Sequence, residues 1–183
     1  MKDLSLYILD ISMNSVRAGA SLTEITLTEK ENVLTMTVSD NGCGMTPEQV
    51  EKLSDPFFTT RKTRKVGLGV PFLRMLSEQT GGNVSITSKP EAEGPDHGTK
   101  VQAVFHTNHI DFIPLGDIIE TVVTLIQGNP DVDFTFRHTT KKGEVSLNTA
   151  EMRVILGEDV PLNTYEVLGF IKEYLTDQYS QIN

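Results

Sequence analysis

An alternating apolar run, Leu34, Met36 and Val38, leads directly into Asp40-Asn41-Gly42-Cys43-Gly44-Met45, and this junction constrains the chain more than any other feature. Folding alone does not require a carboxylate at a strand end that opens into a two-glycine turn. Upstream, Asp10 and Asn14 lie four residues apart in a helical stretch. Downstream, Gly67-Leu68-Gly69 opens another helix and Gly98-Thr99 precedes a strand. A fold that uses these segments has to bring all of them to one place.

The hydrophobic periodicity supplies the elements that carry them. Apolar residues from 4 to 17 form a wide helical stripe with Gly19 as its stop, and the remaining face holds Asp10, Asn14 and Arg17. Positions i, i+4 and i+7 share one side of a helix, so these three project together. Residues 21–28 and 33–39 alternate around the charged turn Glu29-Lys30-Glu31-Asn32 and predict an antiparallel hairpin ending at Asp40. Thr46-Pro47-Glu48-Gln49 is a helix start with threonine as N-cap and proline at the first position, leading a short helix to Leu53. Residues 55–66 have no sustained periodicity and carry Arg61, Lys62, Arg64 and Lys65, the densest basic cluster in the chain, which predicts a mobile loop. A helix over 70–79 is stopped by Gly81-Gly82, and strands over 83–88 and 99–107 bracket a Gly/Pro-rich turn.

Beyond residue 107 the character changes. Asp117 to Glu120 has capping-box spacing before an apolar helix to Ile126, which the Gly128-Asn129-Pro130 turn ends. Residues 133–138 and 144–148 predict a second hairpin, and Asn163 is the expected cap of a last helix through Tyr174. The expected organisation is therefore one domain over 1–107 and a small α+β domain over 108–183. The latter has roughly half the usual domain length, so it needs the first domain or a partner to complete its core.

Composition excludes several classes. A net charge of −9 and a pI near 4.9 argue against sequence-independent nucleic-acid binding, which depends on lysine and arginine to release phosphate counterions. The single cysteine cannot form an internal disulfide, and no apolar run approaches the roughly 20 residues of a membrane span. The N-terminus lacks a signal-peptide pattern, so the cytoplasm is the expected compartment.

The chemistry of the four segments points to a purine nucleotide. Adenine offers an amino donor, and Asp40 at a strand end is a suitable acceptor. Gly42 and Gly44 let the backbone pass close to ring and sugar. A triphosphate brings Mg²⁺, which keeps several waters and takes few oxygen ligands, and the Asn14 carbonyl can be one of them. Asp10, one turn earlier, can orient or deprotonate an attacking water or hydroxyl. Gly67 and Gly69 present backbone N–H groups and a positive helix end to phosphate, with the cations just before them as further contacts. Each residue also has a plainer reading: Asp40-Asn41-Gly42 is a common hairpin-turn sequence, Asn14 and Asp10 suit a solvated helix face, and Phe57 and Phe58 suit packing anchors at the base of the loop. The occurrence of all four segments together tips the balance.

These residues resemble the GHKL superfamily, the Bergerat-fold ATPases that include gyrase, a heat-shock chaperone, histidine kinases and mismatch-repair ATPases. The run from Leu9 to Ala20 is similar to the mismatch-repair form of the asparagine box, with Asp10 where that family usually has its catalytic glutamate. Asp40 to Met45 fits the first glycine box, and Asp55-Pro56-Phe57-Phe58-Thr59-Thr60-Arg61-Lys62, Gly67-Leu68-Gly69-Val70, Gly81-Gly82 and Gly98-Thr99 look like the sensor-kinase lid and second glycine box. The resemblance spans about residues 4–106. It implies an α/β (α+β) two-layer sandwich with ATP beneath a lid, here with a small C-terminal α+β extension. It further implies that Met45, Lys62 and Leu68 belong to the nucleotide site and that Thr99 helps bind an adenine-associated water near Asp40. The asparagine box begins within the first ten residues and all four histidines, His97, His106, His109 and His138, follow the nucleotide motifs, so self-phosphorylation by the sensor-kinase route is not expected.

Three functions compete. The first is a Mg-ATP-dependent ATPase or trans-acting protein kinase, comparable to anti-sigma-factor kinases, with Asp10 as base and a protein phosphoacceptor or regulator as partner. The second is a non-catalytic module in which ATP orders the loop over 55–66, and the loop or the C-terminal segment then grips a partner. The third, nucleic-acid processing, fits the acidic balance least. The C-terminal helices suit either dimerisation or partner docking, and the sequence does not choose between them.

Overall fold

The computed structural model describes residues 2–53, 69–157 and 159–182. The expected loop over 55–66, with Phe57, Phe58, Arg61, Lys62, Arg64 and Lys65, lies outside the described residues, as do Gly67 and Leu68.

Helix α1 spans Leu4–Arg17 and is followed by β1 (Leu22–Lys30), β2 (Val33–Asp40) and the short α2 (Pro47–Lys52). Then come α3 (Gly69–Gln79), β3 (Asn83–Lys89), a single 3₁₀ turn and β4 (Gly98–His106). The C-terminal segment supplies α4 (Ile118–Gly128), β5 (Asp133–Thr140), β6 (Gly143–Asn148), α5 (Thr149–Leu156) and α6 (Tyr165–Ile182). The strands form one mixed sheet in the order β3-β4-β2-β1-β5-β6, in which only the β1–β5 pair is parallel.

Strand alternation sends Ile25, Leu27, Leu34, Met36, Val38, Val101, Ala103, Phe105, Phe134 and Phe136 to one face, where all are buried under α1, α3, α4 and α6. These residues join the apolar stripes of the helices in a single continuous core. The opposite face carries Thr26, Thr28, Thr35, Thr37, Gln102 and Arg137. The result is the expected two-layer α/β sandwich.

The C-terminal segment continues this sheet instead of building one of its own. Strand β5 lies against β1 with Ile25 opposite Phe136, and the connection into α4 reaches back to the first helix. There the carbonyls of Pro114 and Leu115 accept the N–H groups of Leu4 and Ser5 at 3.0 and 2.8 Å. Those are orphan donors of the first turn of α1, and the Asp3 carboxylate takes a third, from Leu6. The open edge of β6 is covered by α6, where the Gln178 amide both accepts from the Ser146 N–H at 2.9 Å and donates to its carbonyl at 3.0 Å, standing in for a neighbouring strand.

Two expectations need correction. The last helix is capped by Thr164, whose hydroxyl accepts from the Val167 N–H, and not by Asn163; it also runs to Ile182, well past Tyr174. Helix α5 was not expected at all. Asn148 caps it through the N–H groups of Ala150 and Glu151, but among its residues only Thr149 is buried, so no apolar stripe announces it.

A buried histidine ties β1, β5 and α6 together. His138 Nε2 lies 3.1 Å from Glu29 Oε1 and Nδ1 lies 2.8 Å from the Tyr179 hydroxyl. A carboxylate only accepts, so Nε2 carries the proton of the neutral ring and Tyr179 donates to Nδ1. Burial holds the imidazole below its ordinary value, partly offset by the charge and hydrogen bond of Glu29. Burial, then the same carboxylate, raises the Tyr179 phenol, which stays protonated. Folding thus favours neutral His138, and the stability it contributes is present above the ordinary imidazole value of about 6.5 and lost as pH falls through the depressed value. Urea unfolding between pH 7.5 and 5.5 is expected to show a steeper loss of stability with falling pH for wild type than for His138→Gln; equal slopes would contradict this account.

Candidate nucleotide site

Asp40 is the last residue of β2, and three donors fix its carboxylate. Oδ2 accepts the Ser15 hydroxyl of α1 at 2.6 Å, while Oδ1 accepts the N–H groups of Gly42 at 2.9 Å and Thr99 at 3.2 Å. The asparagine-box helix, the first glycine box and the Gly98-Thr99 segment therefore meet at one side chain. Gly98 makes the approach possible: its φ is +133°, and a side chain there would collide with the Asp40 carbonyl.

The chain after Asp40 does not turn back as a hairpin. Asn41 anchors it to the start of β1, its Oδ1 accepting from the N–H groups of Ser21 and Leu22 at 2.9 Å each. Cys43 N–H donates to the Ala18 carbonyl, and the Met45 N–H donates to the Ser88 hydroxyl at 2.8 Å. Gly44, with φ of +66°, lies against the Lys89 carbonyl. The Thr99 and Ser88 hydroxyls are 2.9 Å apart, which completes a polar rim around the half-buried Asp40. Thr46 and Gln49 then form the reciprocal capping box that starts α2.

Asp10 lies on the side of α1 that faces α3. A Cβ added to Gly69, the first residue of α3, would fall on Asp10 Oδ2, so glycine is what lets the acid sit against that helix end. The positive end of α3 favours a carboxylate or a phosphate there. Asn14, half-buried one turn along, accepts from Arg17 Nη1 at 3.0 Å, so these two polar residues share a face of α1. Lys62, Gly67 and Leu68 cannot be placed, being outside the described residues.

Three residues were not foreseen: Ser15 on Asp40, Ser88 on Met45 and Thr99, and His97, whose Nδ1 lies 2.6 Å from the Gly42 carbonyl. A carbonyl only accepts, so that nitrogen is protonated and donates. Ser15 did leave a signal, as a polar residue on the buried stripe with Leu4, Ile8 and Ile11. Ser15→Ala removes a bond to an ionised acceptor and is expected to cost about 1.5–3 kcal/mol of stability and about tenfold in nucleotide affinity. Urea melts and nucleotide titration of the variant check both; unchanged affinity would show that Ser15 does not orient Asp40 for binding.

Comparison with known proteins agrees with this geometry. The profile of the histidine kinase-, DNA gyrase B- and HSP90-like ATPases matches residues 2–109, and the chain belongs to that family. Among relatives, sensor histidine kinase ZraS of Salmonella typhi is 33% identical over 88 residues, covering 46% of this chain and 19% of the kinase. Sporulation kinase B of Bacillus subtilis is 27% identical over 88 residues, covering 48% of this chain and 20% of the kinase. The chain thus corresponds to about a fifth of the length of these kinases. Among solved structures, the MutL ATPase domain of Aquifex aeolicus complexed with ADP superposes with a TM-score of 0.56 at 19% identity, covering 81% of this chain and 63% of that one. The N-terminal domain of a DNA repair protein gives 0.55 at 18% identity, covering 81% and 52%. Both fold matches reach further than residues 2–109 and so take in part of the C-terminal segment. Among the described residues no helix is long and apolar enough to cross a membrane.

Proposed function

We propose that this chain is a Mg-ATP-binding protein of the histidine-kinase and anti-sigma-factor-kinase type, an ATPase or a protein kinase acting in trans on a signalling partner in the cytoplasm. The observation that carries the reading is the state of the Asp40 carboxylate. An ionised carboxylate has about four acceptor positions. Three are filled from within the chain, by Ser15, Gly42 and Thr99. The fourth, on Oδ2, suits the amino donor of adenine, and the three internal bonds hold it in a fixed direction.

The residues present also fit the rest of the ligand. The Thr23 hydroxyl, on the residue paired with Asp40 across the hairpin, is buried and has no hydrogen-bond partner among the described residues; an enclosed water beside Asp40 would satisfy it. Asp10 and the start of α3 stand at the phosphate end. Magnesium, when bound, would neutralise charge on the phosphates. Such an ion takes few protein oxygens and completes its shell with phosphates and water. The Asn14 side-chain oxygen would be one of them, with the exposed Arg17 guanidinium swinging from it.

In this reading Asp40 and Thr99 orient the base, the α3 end receives phosphate, and Asp10 accepts a proton from the attacking water or hydroxyl. ATP labelled on its terminal phosphate distinguishes the two catalytic forms. Label released as inorganic phosphate by the chain alone identifies an ATPase, and label retained on an added partner protein identifies a kinase. Binding with neither outcome, across candidate partners, would remove the catalytic part of the proposal.

A further inference from the structure

We propose that His97 is a positioning residue for the nucleotide, holding the first glycine box in its binding shape through the Gly42 carbonyl, a role that rests on the ATP reading above. Gly42 and Gly44 flank Cys43, and glycine has the most conformational freedom to lose when a chain is ordered. A segment left loose in the free protein has to be ordered by its ligand at a cost in affinity, and one tied beforehand does not.

The peptide that joins Gly42 to Cys43 is held at both ends. Its carbonyl accepts from His97 Nδ1 across 2.6 Å, and its N–H, that of Cys43, donates to the Ala18 carbonyl at 2.9 Å. The preceding peptide donates the Gly42 N–H to Asp40 Oδ1, also at 2.9 Å. Three consecutive residues of the strand that follows are fitted to this turn. Thr99 lies opposite Asp40 in the β2–β4 register and donates its N–H to Oδ1, Gly98 leaves room for the Asp40 carbonyl, and the half-buried His97 reaches Gly42. Asp40, Gly42, His97 and Thr99 thus close a ring that sets the base-binding carboxylate and the glycine box together.

The loop that carries His97 is anchored by other bonds. Lys89 and Gly98 pair across β3 and β4, and the Glu91 N–H donates to the Cys43 carbonyl at 2.9 Å. The imidazole bond therefore serves the box, and it can be removed without touching Asp40, Ser15 or the backbone. A neutral imidazole has one N–H, so donation from Nδ1 leaves Nε2 as the bare nitrogen. Asparagine carries its amide nitrogen on Cγ, where histidine carries Nδ1. His97→Asn keeps the donor in place and His97→Ala deletes it.

Titration of the full chain and both variants with Mg-ATP, with urea melts to establish folding, is paired with nitrogen NMR of the imidazoles in the chain without nucleotide. His97→Ala is expected to weaken binding about tenfold and His97→Asn to stay within about twofold of wild type. The neutral His97 ring is expected to show its proton on Nδ1. A folded His97→Ala that binds like wild type, a His97→Asn as weak as His97→Ala, or a neutral ring protonated on Nε2 would overturn this role and leave the ATP reading standing. A folded wild type that binds no Mg-ATP would remove the ATP reading, and this role with it.

Discussion

Asp40→Ala is expected to weaken Mg-ATP binding by about tenfold to a hundredfold, because it removes a charged acceptor for the base. The change has a second effect that has to be separated from the first. The Ser15 hydroxyl, which is buried with its residue, and the Gly42 and Thr99 N–H groups lose their acceptor. Some loss of stability will accompany the loss of affinity. Asp40→Asn keeps the shape and one carbonyl oxygen, so it should fold closer to wild type while still binding weakly. A folded Asp40→Asn that binds Mg-ATP as tightly as wild type would remove Asp40 from base recognition.

Asp10→Asn should leave nucleotide binding within about threefold of wild type and reduce turnover by about a hundredfold to ten-thousandfold, the range over which a positioned base contributes. The substitution keeps the size of the side chain beside Gly69, where a larger group would be displaced by the start of α3. Phosphate release and titration on the same preparations provide the two readouts. Turnover unaffected by Asp10→Asn would mean that the proton leaves by another route. If partner binding persists in a variant without turnover, the chain serves as an ATP-gated binder.

Much of this fold was legible because local signals are strong where packing repeats them. The α1 stripe, the β1–β2 hairpin, the threonine cap and proline that start α2 and the glycine stop after α3 each follow from spacing within a few residues. Helix α5 was not legible, since its apolar residues Val154 and Ile155 face outward and so do not mark a core side. Nor was the joining of β5 to β1, because a parallel pairing between distant segments leaves no mark in either. The site divides the same way. Asp10, Asn14, Asp40 and the glycines are visible as motifs, and the structure brings Asp10 to Gly69 and Asp40 to Thr99. The supports Ser15, Ser88 and His97 are ordinary residue types whose partners lie 25, 43 and 55 positions away. Only Ser15, as a polar interruption of a buried stripe, had a local signature.

The central claim is that the carboxylate held by Ser15, Gly42 and Thr99 receives an adenine nucleotide. Isothermal titration of the full chain with Mg-ATP, repeated with Mg-GTP, tests it most directly. The account predicts saturable one-to-one binding of ATP and much weaker binding of GTP, whose ring presents a carbonyl where adenine presents its amino group and so offers Asp40 no donor at that position. Equal affinity for the two, or no heat with either from a folded protein, would contradict it.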